Sequence, residues 1–178
     1  INTFALPFVF TDKVKEAVES IWKNHNPAEH RLILIDNSSE EFEDRKWLEE
    51  NSHLYVRSYR NLGPAMAFNL GITLAQTEYV TIFSDDARCI KVVSDFKQTQ
   101  DEDDIIISLN SIHPQDVPMG EFYDPNKEYT QEDYNKLDTQ YGGVNKGFGL
   151  AGAIGKKETW IKAGLFDEAK YIYYIDGA

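Results

Sequence analysis

Two adjacent carboxylates, Asp85 and Asp86, follow an apolar, β-branched run from Tyr79 to Phe83. Such a run predicts a buried strand. Successive side chains on a strand point to opposite faces, so the acid pair must lie where the strand ends and a loop begins. Two carboxylates held this close repel each other, which is costly unless a cation or hydrogen-bond donors neutralise the charge. A divalent metal ion would do so; the alternative is that both acids are solvated loop residues.

The elements that must position these acids alternate between strands and helices. Apolar runs predict strands at 1–10, 32–35, 54–59, 79–83, 105–109 and 150–155, and the segments between them predict helices after Thr11 and at 41–50, 65–75 and 157–163. We expect Thr11 to cap the first helix and Gly164 to end the last. This order predicts an α/β fold, with a doubly wound, mainly parallel sheet that has right-handed crossovers and helices on both faces.

In such sheets, ligands bind beyond the carboxyl ends of the strands. Asp36, the turn from Asn61 to Gly63, and the pair Asp85–Asp86 all follow predicted strands. The sequence therefore predicts that they share one site. The long polar and aromatic segment 111–141 is either a functional flap or an inserted hairpin.

Composition limits the function classes. A chain of 178 residues with 42% apolar residues fits one globular domain, and a net charge of −12 opposes binding to nucleic acid. The single cysteine, Cys89, excludes an internal disulfide and favours a reducing, cytoplasmic setting. No apolar run is long enough to predict a transmembrane segment.

Four blocks of sequence resemble family-2 glycosyltransferases of the GT-A fold, which is a Rossmann-like fold. The blocks are residues 33–39 (ILIDNSS), 61–71 (NLGPAMAFNLG), 83–87 (FSDDA) and 164–168 (GLFDE), the last continuing through Asp176. Each block is a weak pattern alone, but four in this order are specific. The resemblance covers most of the chain and implies a single GT-A domain over 1–178, with the C-terminal acceptor or lid region lacking or truncated.

The resemblance also implies roles at the donor site. Asp36 would hydrogen-bond the nucleoside, Pro7 and Phe8 would line the base pocket, and Asn61 and Gly63 would lie close to the nucleotide. In the family's metal motif, Asp86 matches the usual direct ligand of Mn²⁺ or Mg²⁺, and Asp85 matches the middle position. We expect Asp85 to contribute to both donor and metal binding. Ser84 replaces the first acid of the motif.

By the same resemblance, Asp176 aligns with the aspartate proposed as general base for an inverting transfer, although Ile175 replaces the Glu that usually precedes it. Phe68 stands where the family often has Arg. Lys146, Lys156 and Lys157 are further candidates for phosphate contacts.

The expected function is a metal-dependent transfer of a sugar from a nucleotide-diphosphate donor, with UDP favoured, to a hydroxyl on a glycan, lipid-linked or protein acceptor. An alternative is a catalytically inactive GT-A module that binds nucleotide, glycan or a protein partner. A nucleotidyltransferase ranks last, because residues 8–12 (FVFTD) lack the glycine-rich phosphate loop with a basic residue that this class needs.

Overall fold

The computed structural model describes residues 1–89, 106–108 and 152–169, with the backbone alone at 107 and 108. The elements, in chain order, are β1 (Asn2–Phe8), α1 (Asp12–Asn24), β2 (Arg31–Asp36), α2 (Arg45–Glu50), β3 (Leu54–Arg57), α3 (Gly63–Leu74), β4 (Tyr79–Phe83), β5 (Ile106–Ser108), β6 (Gly152–Lys156) and α4 (Lys157–Lys162). None of the helices in these ranges is long and apolar enough to cross a membrane.

The strands form one sheet in the order β3-β2-β1-β4-β6-β5. The first four strands are mutually parallel, as predicted, and the chain turns back across β1 to add β4 on its other side. β6 pairs antiparallel with β4 and with β5. The predicted α/β class and mainly parallel sheet are confirmed, whereas the reversed direction of β6 was not predicted.

Side chains on the central strands alternate between two cores. On one face, Ala5, Ile33 and Ile82 pack with α3 and with Trp160 of α4. On the other face, Leu6, Leu34 and Phe83 pack with α1 and with Leu48 of α2. Every residue of β1 is buried, because this strand has a neighbour on each edge and helices over both faces.

Small residues let α3 approach the sheet closely. A Cβ atom placed on Gly71 would lie 2.7 Å from Cβ of Ala5 and 3.1 Å from Cδ1 of Ile35. Glycine is therefore required here by the distance between helix and sheet. The close approach holds the second half of α3 against β1 and β2.

Helix ends follow the predictions in part. Gly164 ends α4 in the left-handed region with φ 91°; its N–H donates to the Ile161 carbonyl and that of Leu165 to the Trp160 carbonyl, which is the Schellman pattern. Thr11 does occupy the N-cap position of α1, but its side chain makes no capping hydrogen bond. The helix predicted from residue 41 begins only at Arg45.

Candidate functional site

The strand order reverses between β1 and β4, and sheets of this kind bind ligands beyond the carboxyl ends of the strands at such a point. The loops after β1 and β2 are tied together beside this point. The N–H of Asn37 donates to the Phe8 carbonyl at 2.8 Å, and the N–H of Phe10 donates to Oγ of Ser38 at 2.7 Å. The amide of Asn37 also accepts from the N–H of Leu62 at 3.4 Å, which brings the start of α3 to the same edge.

Asp36 ends β2 and is fully buried. Its Oδ1 accepts from the N–H of Ser38 at 2.7 Å, and its Oδ2 accepts from the Tyr55 hydroxyl at 2.7 Å and from Nε of Arg45 at 3.2 Å. The buried carboxylate is thus paired with a guanidinium and two further donors, which compensate for its loss of hydration. The site therefore contains a fixed acceptor group below its surface.

Arg45 is the residue that makes this arrangement possible, and the sequence did not single it out. Its side chain is 9% exposed, and besides Asp36 it donates to Glu41 and to the Glu40 carbonyl. Its guanidinium also lies 4.5 Å from the ring centroid of Phe42. Glu41 in turn pairs with Arg57 at 2.6 Å, so a chain of alternating charges leads from the buried carboxylate to the surface.

Aromatic rings surround this network. Phe10 and Phe42 are stacked with centroids 3.9 Å apart and an angle of 15° between the planes. Phe8 packs edge-on against Phe42 and Tyr55, and burial raises the pKa of the Tyr55 hydroxyl, with the hydrogen bond to Asp36 adding to the rise. Pro7 and Phe8 are buried within β1, beneath the edge; their role in lining a base pocket stays a prediction.

The predicted turn at Asn61 and Gly63 is present at the start of α3. The N–H of Gly63 donates to Oδ1 of Asn61 at 2.8 Å, and Gly63 has φ 75°, a conformation that favours glycine. Pro64 follows in the first turn of the helix. The turn thus lies at the predicted edge, with Asn61 exposed and Gly63 buried.

Asp85 and Asp86 form the corner after β4, as predicted. The N–H of Ala87 donates to the Ser84 carbonyl at 3.2 Å, and the Ser84 hydroxyl donates to Oδ1 of Asp86 at 2.5 Å. Asp85 is partly buried and Asp86 is exposed. Loss of hydration, followed by repulsion from Asp86, raises the pKa of Asp85 from 3.8 to about 6, against smaller opposing effects that include the charge of Lys13.

This corner suits a hard divalent cation. Two carboxylates and a hydroxyl are oxygen ligands of the kind that Mn²⁺ and Mg²⁺ prefer, and a cation would relieve the repulsion that, after loss of hydration, raises the pKa of Asp85. Within the described ranges, no group of three or more His, Cys, Asp or Glu side chains is arranged to hold a metal. A cation at Asp85–Asp86 would therefore keep coordination positions open for a ligand.

Further residues considered for the site either fall outside the described residues or have other contacts. Asp176 and Lys146 fall outside the described residues. Lys157 donates to the Thr73 and Ala75 carbonyls at the C-terminus of α3, at the opposite edge of the sheet, so the idea that it contacts phosphate here is wrong. Phe68 is buried and packs against Phe166.

Asn69 is a second residue that the sequence did not single out. Its amide nitrogen donates at 2.9 Å to both the Phe166 carbonyl and Oε1 of Glu168, and its Oδ1 accepts from the Phe166 N–H at 2.9 Å. The block 164–168 is thereby fixed to α3. An Asn within a helix of small and apolar residues was the available signal, because Asn is unfavourable in a helix interior unless its side chain has a partner.

Comparison with known proteins decides the family. The family model described as glycosyl transferase family 2 matches residues 11–153, which is more than half of the chain. The chain belongs to glycosyl transferase family 2. The matched range includes Asp36, Asn61, Gly63 and the pair Asp85–Asp86, and the resemblance seen in the sequence is confirmed. A search of curated protein sequences found no match.

Solved structures show the same fold for this family-2 chain. TarS residues 1–349 from S. aureus in complex with UDP has a TM-score of 0.61 at 15% identity over 96% of this chain and 51% of that one. The mannosyltransferase PcManGT from Pyrobaculum calidifontis, in complex with GDP-Man and Mn²⁺, has a TM-score of 0.59 at 18% identity over 94% and 47%. At these identities the likeness shows the GT-A fold, and this chain spans about half the length of each structure.

Proposed function

We propose that this chain is a metal-dependent glycosyltransferase that moves a sugar from a nucleotide-diphosphate donor to a hydroxyl acceptor with inversion. The observation that supports this best is the placement of the buried acceptor Asp36 and the acid pair Asp85–Asp86 at one edge of a family-2 sheet. Of the two solved structures with the same fold, TarS 1–349 is in complex with UDP, and PcManGT is in complex with GDP-Man and Mn²⁺.

Asp36 would select the nucleoside. Its carboxylate only accepts hydrogen bonds, so it favours bases that present a ring N–H, such as uracil and guanine. We favour UDP as the donor nucleotide. Asn61 and Gly63 would let the backbone approach the nucleotide closely, and the packed rings at Phe8 would give the base an apolar wall, with Pro7 beside it.

Asp86 and Asp85 would hold Mn²⁺ or Mg²⁺. When bound, the cation would neutralise the charge that develops on the departing nucleoside diphosphate. The chain's own contribution is to hold two oxygen ligands at the end of a buried strand, with the Ser84 hydroxyl fixing the orientation of Asp86.

Asp176 is our candidate for the general base, from the family resemblance. A carboxylate there would take the proton of the acceptor hydroxyl as its oxygen attacks the anomeric carbon opposite the leaving diphosphate. The acceptor, whether a glycan, a lipid-linked group or a protein, belongs to this proposal, and the cytoplasmic setting remains a prediction from the sequence.

Donor binding gives the first test. Thermal unfolding should be measured with UDP, GDP and dTDP, each with and without Mn²⁺, because a ligand that binds the folded state raises the unfolding temperature. We expect the largest rise with UDP and Mn²⁺ together. In calorimetry, Asp86→Ala should abolish the gain in donor affinity that Mn²⁺ gives to the wild type. An unchanged metal-dependent affinity would contradict the proposed site.

Catalysis needs a separate test. Asp176→Asn should retain donor binding and lose transfer, and a fully active variant would exclude Asp176 as the base. A catalytically inactive module is the second candidate, because Ser84 stands in place of an acid and hydrogen-bonds one Asp86 oxygen. Donor binding without hydrolysis or transfer to any acceptor would favour this second function.

A further inference from the structure

Three side chains of α1 hold the segment that follows Asp86. They are Glu16, Ser20 and Asn24, spaced four residues apart on one face of the helix. Nε of Arg88 donates to Oε2 of Glu16 at 3.0 Å, and its terminal nitrogen contacts the same oxygen.

The next residue, Cys89, continues this attachment. Its N–H donates to Oγ of Ser20 at 2.8 Å, and its carbonyl accepts from Nδ2 of Asn24 at 2.7 Å. We call these three helix residues the α1 ladder. The segment after β4 is therefore held by one ion pair and two hydrogen bonds along two turns of a helix.

Arg88, the first residue that the α1 ladder contacts, lies two residues beyond Asp86. At the corner itself, the turn from Ser84 to Ala87 makes one backbone hydrogen bond, and Asp86 is exposed. Repulsion between the two carboxylates favours opening of this turn. Attachment of residues 88 and 89 opposes that opening, because it fixes the chain on the far side of the corner.

Arg88 contributes by fixing the chain and not by placing its positive charge next to Asp85 and Asp86. Its guanidinium is directed to Glu16, its side chain is 15% exposed, and it also donates to the Ala87 carbonyl at 2.9 Å. The cation that influences Asp85 by its field is Lys13, in the first turn of the same helix. Thus α1 supplies both a cation whose charge lowers the pKa of Asp85 and the attachment of the chain behind the acid pair.

We infer that the α1 ladder positions Asp85 and Asp86 for binding a divalent cation with a nucleoside diphosphate, so that Glu16, Ser20 and Asn24 are positioning residues of the metal corner. The inference rests on the proposed function. Partners that hydrogen-bond a metal ligand directly typically change metal affinity by about 10- to 100-fold when they are removed, and we take the lower end for the ladder, which contacts residues 88 and 89.

The test uses the full chain with Glu16→Ala and Ser20→Ala, one charged and one neutral member of the ladder. UDP binding is titrated by calorimetry with saturating Mn²⁺ and again in EDTA. We expect both variants to weaken the Mn²⁺-supported affinity about 10-fold and to leave affinity in EDTA unchanged, because the contacts of Asp36 are untouched. Glu50→Ala is the control, since this acid is exposed and pairs only loosely with Lys46 at 3.8 Å.

Three outcomes would overturn the inference. An equal loss of UDP affinity in EDTA and in Mn²⁺ would mean that the variants merely destabilise the fold. Unchanged affinity in both would mean that the ladder does not position the acids. Tighter binding in Glu16→Ala would mean that Arg88 contacts the diphosphate directly and that Glu16 restrains it.

Amide hydrogen exchange of the ligand-free protein gives a readout that needs no donor. The ladder predicts that exchange over residues 84–89 becomes about 10-fold faster in both variants and stays unchanged in Glu50→Ala. Unchanged exchange would overturn the inference. If the wild-type chain shows no Mn²⁺-supported binding of any nucleotide, the proposed function fails, whereas the exchange experiment still decides whether the ladder holds the corner.

Discussion

The side chain of Asn69 pairs with both backbone groups of Phe166, donating to its carbonyl and accepting from its N–H, each at 2.9 Å. Such a pair reproduces with a side chain the exchange of hydrogen bonds between neighbouring strands. It joins α3, whose start lies at the edge of the candidate site, to the block that follows α4. Two parts of the family pattern that are almost 100 residues apart are thereby fixed to each other.

Asn69→Ala should lower the free energy of unfolding by about 2 kcal/mol, because it leaves the backbone groups of Phe166 without these partners in a partly buried position. Urea denaturation measures the change. Gln76→Ala is the control, since Gln76 is exposed just after α3. Equal midpoints for the two variants would show that the pairing adds nothing to stability.

Arg45→Ala should cost about 3 kcal/mol of unfolding free energy, because it leaves the buried carboxylate of Asp36 without its cation. Arg45→Lys should restore little of this, since an ammonium group cannot contact Asp36, Glu41 and the Glu40 carbonyl in the same fork geometry. Denaturant unfolding again provides the measurement.

The neighbouring Lys46→Ala is the matched control, since Lys46 is exposed and its pair with Glu50 is loose. Tyr55→Phe should have an intermediate effect of about 1 kcal/mol, through loss of one hydrogen bond to Asp36. A stable Arg45→Ala protein would mean that the carboxylate does not depend on the ion pair.

Two glycine substitutions should destabilise the protein for different reasons. Gly71→Ala introduces a methyl group 2.7 Å from Ala5, and we expect a cost of about 2 kcal/mol from the forced separation of α3 and the sheet. Gly164→Ala meets no atom within 4 Å but must keep a φ of 91°, which costs about 1 kcal/mol.

The double variant Gly71→Ala, Ala5→Gly separates the two causes. Removing the Ala5 methyl group should recover part of the stability lost in Gly71→Ala, and it should not recover that lost in Gly164→Ala. Thermal and urea unfolding of the set check this. If Ala5→Gly recovers no stability in the Gly71→Ala background, contact with Ala5 is not the source of the destabilisation.

Acidification should destabilise the protein partly through His25, which ends α1 and is buried against Phe4 and His30 near Cys89. Burial lowers the pKa of His25, against a hydrogen bond to the Ile21 carbonyl, and the charge of His30 lowers it further. The folded state therefore binds fewer protons than the unfolded chain just below pH 6.5, so stability must fall as the pH drops through that range.

Unfolding of wild type and His25→Asn at pH 7.5 and 5.5 measures this effect. The variant should lose less stability on acidification than the wild type does. His30 and His53 have lowered pKa values too, so the loss should shrink rather than vanish. Comparison with the variant cancels the contribution of Asp85, whose raised pKa acts in the opposite sense. Equal losses would contradict a role for His25.

The sequence was sufficient to predict features that depend only on residues close together in the chain. The apolar run 79–83 gave the bounds of β4, and Gly164 gave the end of α4. The direction of β6 could not be predicted, because residues 152–155 are small or apolar and buried, a pattern that is the same for a parallel and an antiparallel strand. The start of α2 was placed too early because Glu41 makes ion pairs with Arg45 and Arg57 instead of opening a helix.

For the candidate site, the sequence identified the acids but not the residues that hold them. Asp36 and Asp85 stand at strand ends, which the chain pattern shows directly. The partners of Asp36, however, are Arg45 on a helix and Tyr55 on the next strand, and both look like ordinary surface residues until the sheet is assembled. The ladder of Glu16, Ser20 and Asn24 is similar, since its partners lie 65 to 72 residues away.

The central position of β1 has a consequence for how the chain folds. One edge of this strand is covered by β2, the next strand along the chain, but the other edge waits for β4, and the buried contact of Asn2 with Thr81 spans 79 residues. Until β4 is available, a nascent or refolding chain exposes an unpaired strand edge of the kind that promotes aggregation. We therefore expect closure of the sheet between β1 and β4 to be a slow, long-range step of folding, and this step also brings together the strand ends that carry the candidate site.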